Sequence, residues 1–162
     1  MTRDVEEGFA WFFRAQFPRV VSTVYLILRD HGHAEEIAQD AFIQLFERWT
    51  KISRYEQPEA WVRRVAIRMA VRHARRERLR NLLERRGDGW ATPDDVPVDV
   101  HAAVLRLPPA QRAAVVLFYF EDRPISEIAD FLGCTRSTAK VHLHKARQRL
   151  AAFLKEEVDD VL

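Results

Sequence analysis

The chain has 162 residues, 48% of them hydrophobic and 31% charged, which supplies enough apolar side chains for one packed domain or two small ones. Its single cysteine excludes an internal disulfide, no apolar run reaches membrane-spanning length, and the acidic residues near the N-terminus do not suit a secretory peptide, so a cytoplasmic protein is expected. The net charge of +2 conceals segregation: Arg63, Arg64, Arg68, Arg72, Arg75, Arg76, Arg78, Arg80, Arg85 and Arg86 crowd one stretch, Asp94, Asp95 and Asp99 follow it, and Glu156, Glu157, Asp159 and Asp160 close the chain. A polyanionic partner fits the arginine block.

The apolar residues recur at three and four positions and no alternating strand pattern stands out, which predicts an all-α protein. A first helix is expected from about Asp4 to Phe17, with Pro18 opening a second through Val20, Val21, Val24, Ile27 and Leu28 to about Arg29. A loop, Asp30 to His33, should end it. The third helix, about Ala34 to Trp49, buries Ile37, Ala38, Ala41, Phe42, Leu45 and Trp49, while Glu35 and Glu36 suit the positive end of its dipole. After a loop from Thr50 to Gln57 that carries Tyr55, Pro58 begins a long helix reaching about Glu84, with Trp61, Val62, Val65, Ala66 and Met69 on its apolar side.

In that helix Arg64, Arg68, Arg72 and Arg75, at i, i+4, i+8 and i+11, form a positive ridge suited to a phosphate backbone. Trp61 lies at one end of the ridge and Tyr55 in the preceding loop. Aromatic groups beside basic ones stack on unpaired bases, although Trp61 also shares a face with Val65 and Met69 and suits core packing equally. The stretch Gly87 to Asp99, with Gly89, Pro93 and Pro97 among acids, has linker composition. The expected organisation is therefore two small helical domains, 4–86 and 101–156, joined by a short acidic linker at 87–100.

The C-terminal module contains an expected helix from about Pro109 to Glu121, then the most informative run of the chain, PISEIADFLGCTRSTAKVHLHKARQRL, residues 124–150. Ile125, Ile128, Ala129 and Leu132 mark one face of a helix that starts at Pro124 and stops at Gly133. Thr135 caps the next helix, whose Ala139, Leu143, Ala146 and Leu150 form the stripe that docks on the first. The rest of its surface offers Arg136, Ser137, Lys140, Val141, His144, Lys145, Arg147 and Gln148: donors for phosphates and base edges, with a small apolar group suited to a thymine methyl. This is a helix-turn-helix pattern, and the alternative is an ordinary helical hairpin with a solvated basic face. Cys134, at the corner, suits a small buried structural position.

The order HAEEIAQDAFIQLFERW, PEAWVRRVAIRMAVRHARR, a short linker and LPPAQRAAVVLFYFEDRPISEIADFLGCTRSTAKVHLHKAR resembles bacterial RNA polymerase sigma factors of the extracytoplasmic-function (ECF) group, over roughly Phe9 to Leu154. The resemblance implies that Glu36, Gln39 and Asp40 contact the β′ clamp helices of core RNA polymerase, and the β subunit is a further implied partner. It also implies that the loop Lys51 to Gln57 captures a base of the opened minus-10 element, that Trp61 to Arg76 holds and melts that element, and that the helix-turn-helix reads the minus-35 element. An anti-sigma factor covering both modules is implied in the same way. Val141 and His142 stand where the family commonly has a small polar residue and a basic one, Ser137 replaces a common glycine, Ala38 a larger aliphatic residue, and Arg68 a position often uncharged. The promoter sequence is therefore not transferable from relatives.

No metal, cofactor or enzymatic chemistry is expected. His31 and His33 flank Gly32 without a third ligand, His142 and His144 do not share a helical face, and neither a phosphate-binding glycine loop nor a nucleophile motif occurs. Two other functions fit part of the pattern. A free-standing helix-turn-helix regulator would leave the ridge and the Glu36 to Asp40 helix without roles, and an adaptor tethered to polymerase would bind the enzyme without directing initiation.

Overall fold

The computed structural model describes residues 2–85 and 100–161, and all its regular elements are helical. They are α1 (Thr2–Leu28), α2 (His31–Glu47), α3 (Trp49–Ile52), α4 (Pro58–Arg85), α5 (Val100–Leu105), α6 (Pro109–Val115), α7 (Ile125–Leu132) and α8 (Arg136–Val161). The expected linker lies outside the described residues, apart from Val100.

The two N-terminal helices expected on either side of Pro18 are one continuous helix, with the proline inside it. An interior proline costs about 3 kcal/mol through its lost donor and ring clash. Val20, Val24 and Ile27, each at most 1% exposed, gain roughly 1.5–3 kcal/mol apiece by burial, which favours keeping both halves on one core. The helix ends at Arg29, in the left-handed region at φ +56°, with its guanidinium 4.8 Å over the Tyr25 ring. The loop expected over Asp30 to His33 is shorter than that. Asp30 is the N-cap of α2, its side chain accepting from the His33 amide at 2.9 Å, so His31, Gly32 and His33 form the first turn. That amide bond is the leading cause holding the Asp30 carboxyl below the usual range.

On α2 the buried residues Ile37, Ala38, Ala41, Phe42 and Leu45, with Trp49 beyond its end, are those the periodicity marks. Phe13 and Phe17 of α1 pack on the Phe42 ring, with centroids 5.2 and 5.6 Å away. The loop expected after Trp49 contains a further short helix, α3, whose Ile52 is buried. On α4 the buried stripe is Val62, Ala66, Ile67, Ala70, Val71 and Ala74, whereas Trp61, Val65 and Met69 are half-buried at its border. The small alanines let α4 lie close to its neighbours.

The helix expected from Pro109 to Glu121 changes character midway. From Val116 to Phe120 it widens into a π-helical turn, closed by the Glu121 amide donating to the Val116 carbonyl at 3.1 Å. Helices α5 to α8 share one apolar cluster with α1, α2 and α4, and α4 packs directly on α6 and α7. Arg112 is the most buried arginine at this junction. Its Nη1 donates to the Ile27 carbonyl at the end of α1 (3.1 Å), and its Nη2 to the carbonyls of Leu105 (2.8 Å) and Leu107 (3.1 Å). A cation thus satisfies carbonyls that helix ends leave unpartnered. Burial pushes its guanidinium down to about 10.

Candidate nucleic-acid interface

The helix-turn-helix forms as the pattern predicts. Helix α7 ends in a Schellman motif: the Cys134 amide donates to the Ala129 carbonyl (3.0 Å) and the Gly133 amide to that of Asp130 (3.2 Å), with Gly133 at φ +68°. The Thr135 hydroxyl accepts from the Thr138 amide at 3.1 Å and starts α8. Ala139, Leu143 and Ala146 are buried and Leu150 half-buried, which turns the opposite face outward. Cys134 is half-buried, and that burial pushes its thiol up, away from the reactive thiolate form.

Arg136, Ser137, Lys140, Val141, His144 and Lys145 are all exposed on α8, with Val141 at 48%. They line one side of a helix of the size that enters a major groove, and their donors point outward. Arg147 is also exposed, but its Nε donates to the Tyr119 hydroxyl at 2.6 Å and its guanidinium lies over the Phe118 and Tyr119 rings. It therefore braces α8 on the π-helical turn. His142 is half-buried beside Arg75 and Lys145; burial first, then those cations, holds its pKa below the histidine range.

Glu36, Gln39 and Asp40 lie exposed together on α2. Ile43, 57% exposed, extends their face by one turn and is a residue the sequence reading omitted. An apolar residue three and four positions beyond the polar pair was the available signal. Tyr55 is exposed in the turn before α4, and Trp61 packs at the border of the core.

The four arginines of the ridge are placed differently from one another. Arg72 and Arg75 are exposed. Arg64 pairs with the Asp130 carboxylate of α7, and Arg68 donates from Nη2 to the Asp130 carbonyl (2.9 Å) and from Nε to the Phe131 carbonyl (3.2 Å). Arg68 thereby caps the C-terminal end of α7. Its guanidinium lies 3.1 Å from the position a Cβ would take on Gly133, so this glycine serves both the positive φ and the close approach. One turn away, Arg63 pairs with Glu121, whose carboxylate also accepts from the Thr23 hydroxyl, and Arg63 Nη2 lies 3.2 Å from that hydroxyl oxygen. Burial lowers the Arg63 pKa, against the opposing pull of Glu121. None of the described helices is long and apolar enough to cross a membrane.

The geometry defines a class: an all-helical protein, among the described residues, with a helix-turn-helix whose outer face is basic and a second, arginine-rich helix. Residues 12–80 match the family model for sigma-70 region 2, and residues 98–150 that for sigma-70 region 4. The chain is 30% identical over 156 residues to the ECF RNA polymerase sigma factor SigK of Mycobacterium sp. strain KMS, covering 85% of this chain and 78% of that protein. It is 22% identical over 170 residues to SigW of Bacillus subtilis, covering 93% and 91%. It is 29% identical over 158 residues to SigE of Mycolicibacterium smegmatis, covering 87% of this chain but 59% of that longer protein. The fold is shared with the sigma factor RpoE in its complex with the anti-sigma factor NepR from Bartonella quintana, with a TM-score of 0.67 at 20% identity over 92% of this chain and 98% of that one. The chain belongs to the ECF RNA polymerase sigma factors.

Proposed function

We propose that this sigma factor binds core RNA polymerase through the exposed face of α2, directs it to promoters and promotes their opening. The observation that carries the reading is the presence, in one chain, of three surfaces: the Glu36, Gln39, Asp40 and Ile43 face, the α4 arginines, of which Arg64 and Arg68 touch α7 while Arg72 and Arg75 are exposed, and the outward face of α8. Polymerase clamp helices dock on the first. Tyr55, Trp61, Arg64, Arg68, Arg72 and Arg75 engage the minus-10 element, with stacking and phosphate contacts offsetting the few kcal/mol that base extrusion costs. Arg136, Ser137, Lys140, Val141, His144 and Lys145 read the minus-35 duplex, and Arg147 holds their helix on the π-helical turn at its edge. We assign these roles to domains spanning 4–86 and 101–156, with 87–100 between them.

Two modest DNA sites held on one polymerase gain from effective concentration, so promoter selectivity belongs to the holoenzyme. The protein acts without enzymatic chemistry of its own, in the cytoplasm, and an anti-sigma factor covering both domains is its inhibitor. The polymerase contact is tested by titrating the purified chain into labelled core enzyme. Asp40→Arg with Ile43→Asp should weaken the complex at least tenfold. Unchanged affinity would remove α2 from the interface.

A further inference from the structure

Arg63, Arg64 and Arg123 each meet a carboxylate, which offsets their charge. Arg147 is fixed by neutral groups instead. Its Nε donates to the Tyr119 hydroxyl at 2.6 Å, and its guanidinium carbon lies 5.2 and 5.5 Å from the centroids of the Phe118 and Tyr119 rings. Those rings meet edge to face, with centroids 4.9 Å apart, so the cation rests in a preformed aromatic corner. The π-helical turn makes this corner. Consecutive residues of an α-helix diverge by about 100°, and the wider turn from Val116 to Phe120 narrows that angle and lets Phe118 and Tyr119 both reach α8. Tyr119 is 54% exposed and Phe120 42%, so the corner opens to solvent. Among the described residues, no carboxylate pairs with Arg147 and no acceptor meets its Nη1 or Nη2.

We infer that Arg147 and Tyr119 form a two-pronged seat for one backbone phosphate at the edge of the minus-35 duplex, which makes Tyr119 a DNA contact outside the helix-turn-helix. This rests on the minus-35 role proposed above for α8. Arg147 follows Lys140 by seven residues and His144 by three, so it lies on the flank of the reading face. A duplex whose base edges meet Lys140 and His144 brings its adjacent backbone to that flank. The Nη groups of Arg147 donate charge-assisted bonds to the phosphate oxygens. The Tyr119 hydroxyl, which accepts from Nε, keeps its own proton to donate to the same anion. Because the guanidinium is already held by two rings and a phenol, little side-chain freedom remains to be lost on binding, and neutral partners leave its charge undiminished. A phosphate seat carries no sequence information, so it adds affinity and fixes register without choosing bases.

The test challenges core polymerase loaded with the full chain with a pool of short duplexes randomised at their centres, over about 50 to 200 mM salt, with core alone as the blank and the retained duplexes sequenced. Arg147→Met should lower the slope of log affinity against log salt by about 0.9, the increment of one phosphate contact, and leave the enriched sequences unchanged. Arg147→Lys keeps the charge and should hold the wild-type slope. Tyr119→Phe keeps the ring and should weaken retention about two- to tenfold at every sequence. Added to Arg147→Met it should cost less than about twofold, because the two prongs share one anion. A role confined to packing α8 moves neither the slope nor this coupling. An unchanged slope in Arg147→Met, or a shifted set of enriched sequences, overturns the seat, and a Tyr119→Phe loss that persists undiminished beside Arg147→Met overturns the shared anion. Failure of the minus-35 role reads differently. If the wild type enriches no sequence, or Lys140→Ala with His144→Ala leaves the enrichment as it was, base reading by α8 is lost, while the Arg147→Met slope on the whole pool still decides the seat.

Discussion

Replacing Arg112 with methionine should destabilise the protein by about 2–5 kcal/mol, because one buried guanidinium joins the ends of α1 and α5 to α6. Its three bonds to carbonyls are charge-assisted, each contributing about 1.5–3 kcal/mol in gross terms. Against them stands the desolvation that lowers the group to about 10, an opposing cost of about 3 kcal/mol. Methionine fills most of the stem's volume, so a cavity adds little, but three carbonyls lose their donor. Arg112→Lys keeps a cation without the planar fork and should lose about half as much. The assay is urea unfolding at neutral pH with linear extrapolation, comparing midpoints and slopes. A loss below about 1 kcal/mol for the methionine variant, at unchanged slope, would refute the claim that the fork organises this junction.

Exchanging Lys140 and His144 for alanine should reduce discrimination among minus-35 sequences by about 1–3 kcal/mol per lost base contact while polymerase binding persists; competition binding by the holoenzyme measures it, and unchanged preference would sink the assignment. Exchanging Arg64, Arg68 and Arg72 together should slow open-complex formation, read by permanganate reactivity of unpaired thymines, with normal opening as the contrary result. His73, whose ring centroid lies 4.6 Å from that of His33, has its pKa lowered by burial first and by His33 next. A base whose folded pKa is depressed contributes stability that is complete above the unfolded value of about 6.5 and is lost as pH falls through the folded one. The melting temperature should therefore drop on acidification from pH 7.5 to 5, and His73→Gln should drop less; an equal drop would remove His73 as a cause.

Local signals were legible in the sequence wherever a short stretch decides the structure. Gly133 and Thr135 punctuate the helix-turn-helix because a left-handed residue and a hydroxyl cap are local requirements. The buried face of α2 follows from spacing alone. Pro18 misled because its local cost is outweighed by contacts with α2 and α4 that spacing does not report. The π-helical turn escaped because five consecutive apolar residues, Val116 to Phe120, carry no period. The one-signed arginine ridge was legible as a charge pattern. Its partner was not, since Asp130 reaches it only through tertiary packing, as Glu121 reaches the neighbouring Arg63.

Whether the chain directs core polymerase to promoters is read from transcription of a genomic fragment library with purified core polymerase, with and without the protein, mapping start sites by sequencing. Discrete new starts preceded by two shared sequence elements are the predicted result. No new starts, together with binding of duplex fragments by the isolated protein, would contradict the account and favour a free-standing regulator.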